Sequence, residues 1–108
     1  MKFRVGLTPR AEQELREIAA WYRERSGSQE IADRWVDGIL ARLNRLELDP
    51  QRHALAREAD LFDYDVRELL FGSGRRKTHR ILFRVIDDLV EIMAIRHFAQ
   101  HDVVTDGF

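Results

Sequence analysis

The sequence predicts an α+β domain of order β-α-α-β-β-β, with a helical hairpin packed on one face of a mainly antiparallel sheet. Three observations carry that prediction. Two amphipathic helical patterns follow a short alternating strand and are separated only by Ser26-Gly27-Ser28, which implies an antiparallel helical hairpin. In the last third, two β-rich runs flank the acidic dipeptide Asp87-Asp88, the pattern of a tight hairpin. A further strand-like run precedes them across a glycine-containing turn, so three strands with short links form a meander that the helices can cover.

Lys2 to Leu7 alternates, with Phe3, Val5 and Leu7 on one side, and reads as a half-buried strand. Thr8-Pro9 then supplies a hydroxyl N-cap and a proline at the first helical position. Glu12, Glu14 and Glu17 lie toward that end, where the helix dipole favours acids. Ala11, Leu15, Ile18, Ala19 and Tyr22 make one apolar stripe, carrying the helix to about Arg25. In the second helix Ile31, Trp35, Ile39 and Leu43 recur every four residues, with Val36, Leu40 and Leu46 widening the stripe. It should run to about Leu48, because Asp49-Pro50 disfavours continuation. Gly38 costs a helix interior roughly 1 kcal/mol against alanine, which suggests a close approach there. Gln51 to Asp65 shows no firm period and reads as a loop with a short helical turn. Val66 to Phe71 is the next strand, Gly72-Ser73-Gly74-Arg75-Arg76 a turn, Lys77 to Ile86 a strand, and Leu89 to Phe98 the last. The expectation is one domain over 1–108 with a loose tail from about residue 100. Where the first strand joins the sheet is not legible.

At 108 residues, 44% hydrophobic and 34% charged, the chain has the composition of an ordinary soluble domain. No run approaches the roughly 18 apolar residues of a membrane span, and Met1-Lys2-Phe3 leads straight into a strand pattern, so no secretory signal is expected. Cysteine is absent, removing disulfides and thiolate chemistry together. A cytoplasmic protein is the resulting expectation. The net charge is −1, yet between Val66 and Ile86 the cations Arg67, Arg75, Arg76, Lys77, Arg80 and Arg84 face only one acid, Glu68. That local positive field has two readings: a strand edge kept charged against edge pairing, or an anion- or partner-facing patch.

Alternation places Arg80, Leu82, Arg84 and Ile86 on one face of their strand, and Arg67 on a face with Leu69 and Phe71. If those two faces coincide, Arg67, Arg80 and Arg84 cluster on the sheet's uncovered side. There they could hold phosphate bidentately or receive carboxylates from a partner. Arg96-His97 ends the last strand, and only one of the pair can face that cluster. A histidine beside arginines suits proton transfer near neutral pH; a structural histidine at a strand end is the alternative. His53, His79 and His101 have no metal-ligand spacing, so no metal site is expected. There is no glycine-rich phosphate loop or nucleophile elbow, and no cofactor is expected. Trp21, Tyr22 and Trp35 sit at helical core spacing, which packing explains.

The run VRELLFGSG followed by HRILFRVIDDLVEIMAIRH, after two helices, resembles the RelE/ParE superfamily of toxins from bacterial type II toxin–antitoxin pairs. The likeness spans Leu7 to about Gln100. The stretches LTPRAEQELREIAAWY and ADRWVDGILARLNRLELDP are more similar to the ParE side, whose helical hairpins are long. The resemblance implies, first, a growth-inhibiting, plasmid-stabilising toxin that inhibits DNA gyrase and is neutralised by a cognate antitoxin. An alternative is a RelE-like, metal-independent endoribonuclease cutting mRNA on the ribosome, with Arg80, Arg84 and His97 as working residues. A third reading is a non-toxic binding module of the same fold. Arg80 matches the arginine opening the third strand of RelE-like nucleases, but Phe98 and Ala99 stand where some end in a histidine–tyrosine pair. No tyrosine follows Tyr64, and the isoelectric point near 6.4 contrasts with strongly basic ribosome binders. Arg67, Arg75, Arg76, Lys77, Arg80 and Arg96 are the anion- or partner-binding candidates, and Trp21, Tyr22, Leu46 and Leu48 the antitoxin-docking candidates. No membrane contact is implied, and DNA contact only through the antitoxin complex.

Overall fold

Two side-chain caps and one glycine shape the helical hairpin of the computed structural model, which describes residues 2–72 and 74–100. Extended Thr8 accepts a hydrogen bond from the Ala11 N–H at 3.1 Å, and Pro9 opens α1 (Pro9–Ser26). Gly27 ends that helix at φ 69°, a region where a Cβ is costly, with its N–H on the Arg23 carbonyl. Ser28 caps α2 (Gln29–Asn44), accepting from the Ile31 N–H at 3.3 Å. The expected continuation to Leu48 does not stay α-helical. It tightens into a 3-10 turn, Arg45–Glu47, because Asp49 ahead of Pro50 is disfavoured in the helical region and takes φ 50°.

The strands β2 (Arg67–Phe71), β3 (His79–Ile86) and β4 (Leu89–His97) form the expected antiparallel meander. Asp87, at φ 53°, turns β3 into β4. The first strand, β1 (Arg4–Leu7), pairs in parallel with β4, giving the order β1-β4-β3-β2. One irregularity matters for everything that follows. Phe83 pairs with Ile92 and Leu82 with Ala94, so Met93 is an extra residue in β4. Such a bulge inverts which side chains of the bulged strand face which way beyond it.

Both faces of the sheet are covered. Trp35, Ile39 and Leu43 of α2 pack with Leu69, Phe71, Ile81, Phe83, Ile92 and Ile95 beneath the helices. The opposite face, expected to be open, carries the connection between α2 and β2. Its residues Ala56, Phe62 and Val66 pack on Leu82, Met93 and Ala94. Hydrogen bonds from the Glu68 N–H to the Ala54 carbonyl (3.0 Å) and from the Ala56 N–H to the Val66 carbonyl (2.8 Å) dock it on the outer edge of β2. A Cβ on Gly38 would lie 3.5 Å from Phe71 Cζ, an ordinary contact, so the close approach suspected from the sequence is absent. Gly72 is the crowded glycine: a Cβ there would sit 2.0 Å from the Arg76 carbonyl oxygen. Among the described residues no helix is long and apolar enough to cross a membrane.

Candidate functional site

The strand register separates the arginines that alternation alone would group. Arg67 pairs with Phe83, and Leu69 with Ile81, so Arg67 lies on the helix-covered face. There its guanidinium donates to the His53 carbonyl at 2.6 Å and meets Asp65 at 3.6 Å. Arg80 and Arg84 lie on the other face, so the Arg67–Arg80–Arg84 cluster does not form. Nor is Arg80 available to a ligand. It is 4% exposed and forks onto Glu58, with two bonds of 2.6 Å, while its Nε donates to Glu68 at 2.5 Å. These glutamates, Glu58 foremost, raise the Arg80 pKa above the ordinary arginine value, so it stays a cation. Arg84 pairs with Glu91 at 2.9 Å and stacks 4.4 Å from the Tyr64 ring centroid. Arg96, opposite Arg80 in the ladder, meets Glu14 of α1 at 3.5 Å. This face is therefore a self-neutralised ladder of arginines and glutamates. Glu14, Glu58 and Glu91 were invisible as partners in the sequence because each comes from a different segment.

His97 falls on the other side. The Met93 bulge turns it toward the helices, where it pairs with His79 at 5.1 Å between ring centroids. A continuous aromatic path leads outward: His79 on Trp35 (5.3 Å), Trp35 stacked on Tyr22 (5.2 Å), and Tyr22 edge-on to Trp21 (5.0 Å). His97 Nδ1 accepts from the Ala99 N–H at 3.0 Å, so the neutral ring carries its proton on Nε2. His79 is buried beside the Thr78 hydroxyl, 2.8 Å from its Nδ1. Burial, and secondarily the charge of His97, push His79 down to about 4, so it is neutral at physiological pH. A cavity of about 580 Å³ lies here, lined by Trp21, Tyr22, Thr78, His79, His97 and Gln100 among others. Tyr22 also borders a second hollow of about 360 Å³ between α2 and the end of β2, with Ile31, Trp35 and Phe71. Trp21 is 53% and Ile31 45% exposed, so this end of the molecule presents an aromatic, apolar groove.

Arg75, Arg76 and Lys77 stand exposed in the β2–β3 turn with no partner among the described residues. Of the six cations between Val66 and Ile86, the structure thus uses Arg67, Arg80 and Arg84 internally and leaves the three turn cations outward. Among the docking candidates, Trp21 and Tyr22 border the groove, but Leu46 is 1% exposed and belongs to the core. It is the last apolar residue of the α2 stripe, and the 3-10 turn drives it inward. Leu48 is exposed but lies beyond the opposite end of α2. No grouping of three or more histidine, aspartate or glutamate side chains among the described residues could hold a metal ion. His101 and the tail after Gln100 lie outside the described residues.

The family model described as the ParE toxin of the type II toxin–antitoxin system, parDE, matches residues 5–101 of the 108. The chain belongs to the ParE toxin family. A comparison with curated proteins gives no match. Among solved structures, the chain is similar to one described as the chromosomal ParDE toxin–antitoxin system from P. aeruginosa. The superposition has a TM-score of 0.69 at 22% identity and covers 89% of this chain and 96% of that one. At that identity the likeness speaks to the fold: two helices on a four-stranded mixed sheet, as in ParE-like toxins.

Proposed function

We propose that this ParE-family toxin acts without nuclease chemistry, that its target is DNA gyrase in the cytoplasm, and that a cognate antitoxin neutralises it. One observation carries the choice over a ribonuclease. General acid–base chemistry at a phosphate needs the proton-transfer group and the anion-holding arginines within hydrogen-bond reach of one reacting centre. Here Arg80 and Arg84 lie on one face of the sheet, each held by glutamates, while His97 lies on the other. That division supports a protein that works by binding.

The groove around Trp21 and Tyr22, with Arg75, Arg76 and Lys77, which have no partner among the described residues, at the neighbouring turn, is the docking surface we assign to the antitoxin. Its chemistry fits a segment that alternates apolar and acidic residues, since aromatic walls and outward cations stand at the same end of the molecule. Leu46 takes no part in this reading.

Expression in a bacterium separates the targets. Gyrase poisoning gives filamentous cells with a DNA-damage response, and purified gyrase should accumulate cleaved DNA in the presence of the toxin. Rapid loss of translation with in-frame mRNA cuts would instead establish the nuclease. For the docking surface, Trp21→Ala should weaken antitoxin binding by tenfold or more if Trp21 is a central anchor, and unchanged affinity would remove the groove from the interface.

A further inference from the structure

A second set of cations gathers at the far end of α2, away from the aromatic groove. Arg42 lies in the last turn of α2, and Arg45 opens the following 3-10 turn. Asp49, in its left-handed conformation, then reverses the chain into the 3-10 turn Pro50–Arg52. This brings Arg52 and His53 back beside Arg42. The four side chains border one hollow of about 430 Å³, with Asn44 and Leu48 on its wall. Two acids, Glu47 and Asp49, line the same hollow, and Glu47 faces Lys2 at 3.7 Å.

The arrangement differs from that of the arginines on the Arg80 face of the sheet. Arg80, Arg84 and Arg96 each have a glutamate within ion-pair distance. The side chains of Arg42, Arg45 and Arg52 have no hydrogen-bond or ion-pair partner among the described residues. Burial, and then the nearby charges of Arg45 and Arg52, lower the Arg42 pKa. Burial, then Arg52, Arg42 and Arg67, lower that of His53, against a small opposing influence of Asp49. The negative end of the α2 dipole accounts for cations at Arg42 and Arg45. It does not account for Arg52, which arrives from the next turn. That dipole amounts to roughly half a charge, so the three arginines outweigh it together with Glu47 and Asp49 on the same wall, leaving a positive excess of roughly half a charge.

We propose that the Arg42–Arg45–Arg52 hollow binds a phosphate group, carried by a nucleotide or by a nucleic-acid backbone. Phosphate suits it better than a carboxylate for a reason visible elsewhere in the protein. A single arginine, Arg80, takes both oxygens of the Glu58 carboxylate, so three arginines lining one hollow exceed what one carboxylate can engage. A phosphate has more oxygens and accepts several bidentate forks at once. His53 at the edge adds a donor that an anion would favour in its charged form. This inference is independent of the gyrase reading, and it departs from the expectation that DNA is met only through the antitoxin complex.

The test uses the full-length protein and three probes at constant ionic strength: inorganic phosphate, ATP and a fluorescein-labelled DNA duplex. NMR titration of the His53 imidazole in the wild-type chain should show its pKa rising when a phosphate probe binds. Response to ATP without DNA binding identifies a nucleotide site, and DNA binding identifies the backbone; either supports the proposal. By fluorescence anisotropy the Arg42→Gln/Arg45→Gln/Arg52→Gln variant should lose tenfold or more in affinity for the responding probe. If that probe is DNA, its log–log salt slope should flatten by about 0.9 per lost contact. The Arg75→Gln/Arg76→Gln/Lys77→Gln variant should leave the His53 response intact. The proposal is overturned if no phosphate probe moves His53, if the hollow variant binds as tightly as wild type, or if a polyglutamate peptide moves His53 while the phosphate probes do not.

Discussion

Arg80→Met should destabilise the fold by about 3–5 kcal/mol, the range for breaking a buried ion pair by removing one partner. The magnitude follows from the surroundings. Arg80 is 4% and Glu58 3% exposed, so neither charge is solvated by water, and both Glu58 oxygens bond to the guanidinium. Methionine fills much of the arginine's volume but leaves the Glu58 charge buried without it. Glu68, whose side chain is 26% exposed, recovers part of its hydration, and Glu68→Gln should cost about 1 kcal/mol or less. Removing both charges is a different experiment. Arg80→Met/Glu58→Leu replaces the pair by apolar groups of similar size and should recover most of the single-mutant loss. Urea denaturation followed by tryptophan fluorescence reads all four proteins, and an unchanged m-value licenses the comparison. A loss under about 1 kcal/mol for Arg80→Met would refute the buried clamp, and so would a double variant no more stable than the single.

Three further outcomes are expected. His79 has a folded pKa of about 4 against roughly 6.5 unfolded. The unfolded chain therefore binds more protons between these values, so the contribution of this site is complete above about pH 6.5 and is lost as pH falls to about 4, roughly 3 kcal/mol in all. His79→Phe should flatten that part of the stability–pH curve; an unaltered slope would place the titration elsewhere. Gly38→Ala, at an exposed helical position with only an ordinary contact to Phe71, should stabilise the protein by about 0.5–1 kcal/mol in thermal or urea melts. A loss of stability there would mean that α2 and β2 cannot accept the methyl group. His97→Ala should leave growth inhibition intact, because the proposed action has no proton-transfer step. A roughly 100-fold fall in an mRNA-cleaving activity on that substitution would restore the nuclease reading.

The legible parts of the fold are those written in local chemistry. Thr8-Pro9, Ser26-Gly27-Ser28 and Asp87-Asp88 specify caps and turns through the conformations their own side chains favour, and the four-residue recurrence of Trp35, Ile39 and Leu43 specifies the buried stripe. The connection between α2 and β2 was not legible, because its packing partners Leu82, Met93 and Ala94 are distant in sequence and its backbone has little regular repeat. The cluster at Arg42, Arg45 and Arg52 was missed for a related reason. Nothing in the spacing tells that the turn at Asp49-Pro50 returns Arg52 to the end of α2.

The site residues show most clearly where local information ends. From sequence alone, alternation correctly put Arg80 and Arg84 on one face of their strand, and composition correctly marked the region as cationic. Whether those cations face a ligand depends on three long-range facts: the β2–β3 register, the extra residue Met93, and the glutamates delivered by other segments. Strand side chains alternate with a period of two, so one inserted residue reverses every assignment beyond it. The sequence by itself determined the family, the order of elements and the charge. Only the tertiary structure decided that Arg80 is clamped between glutamates while His97 looks the other way, because pairing register and burial arise between segments and not within them.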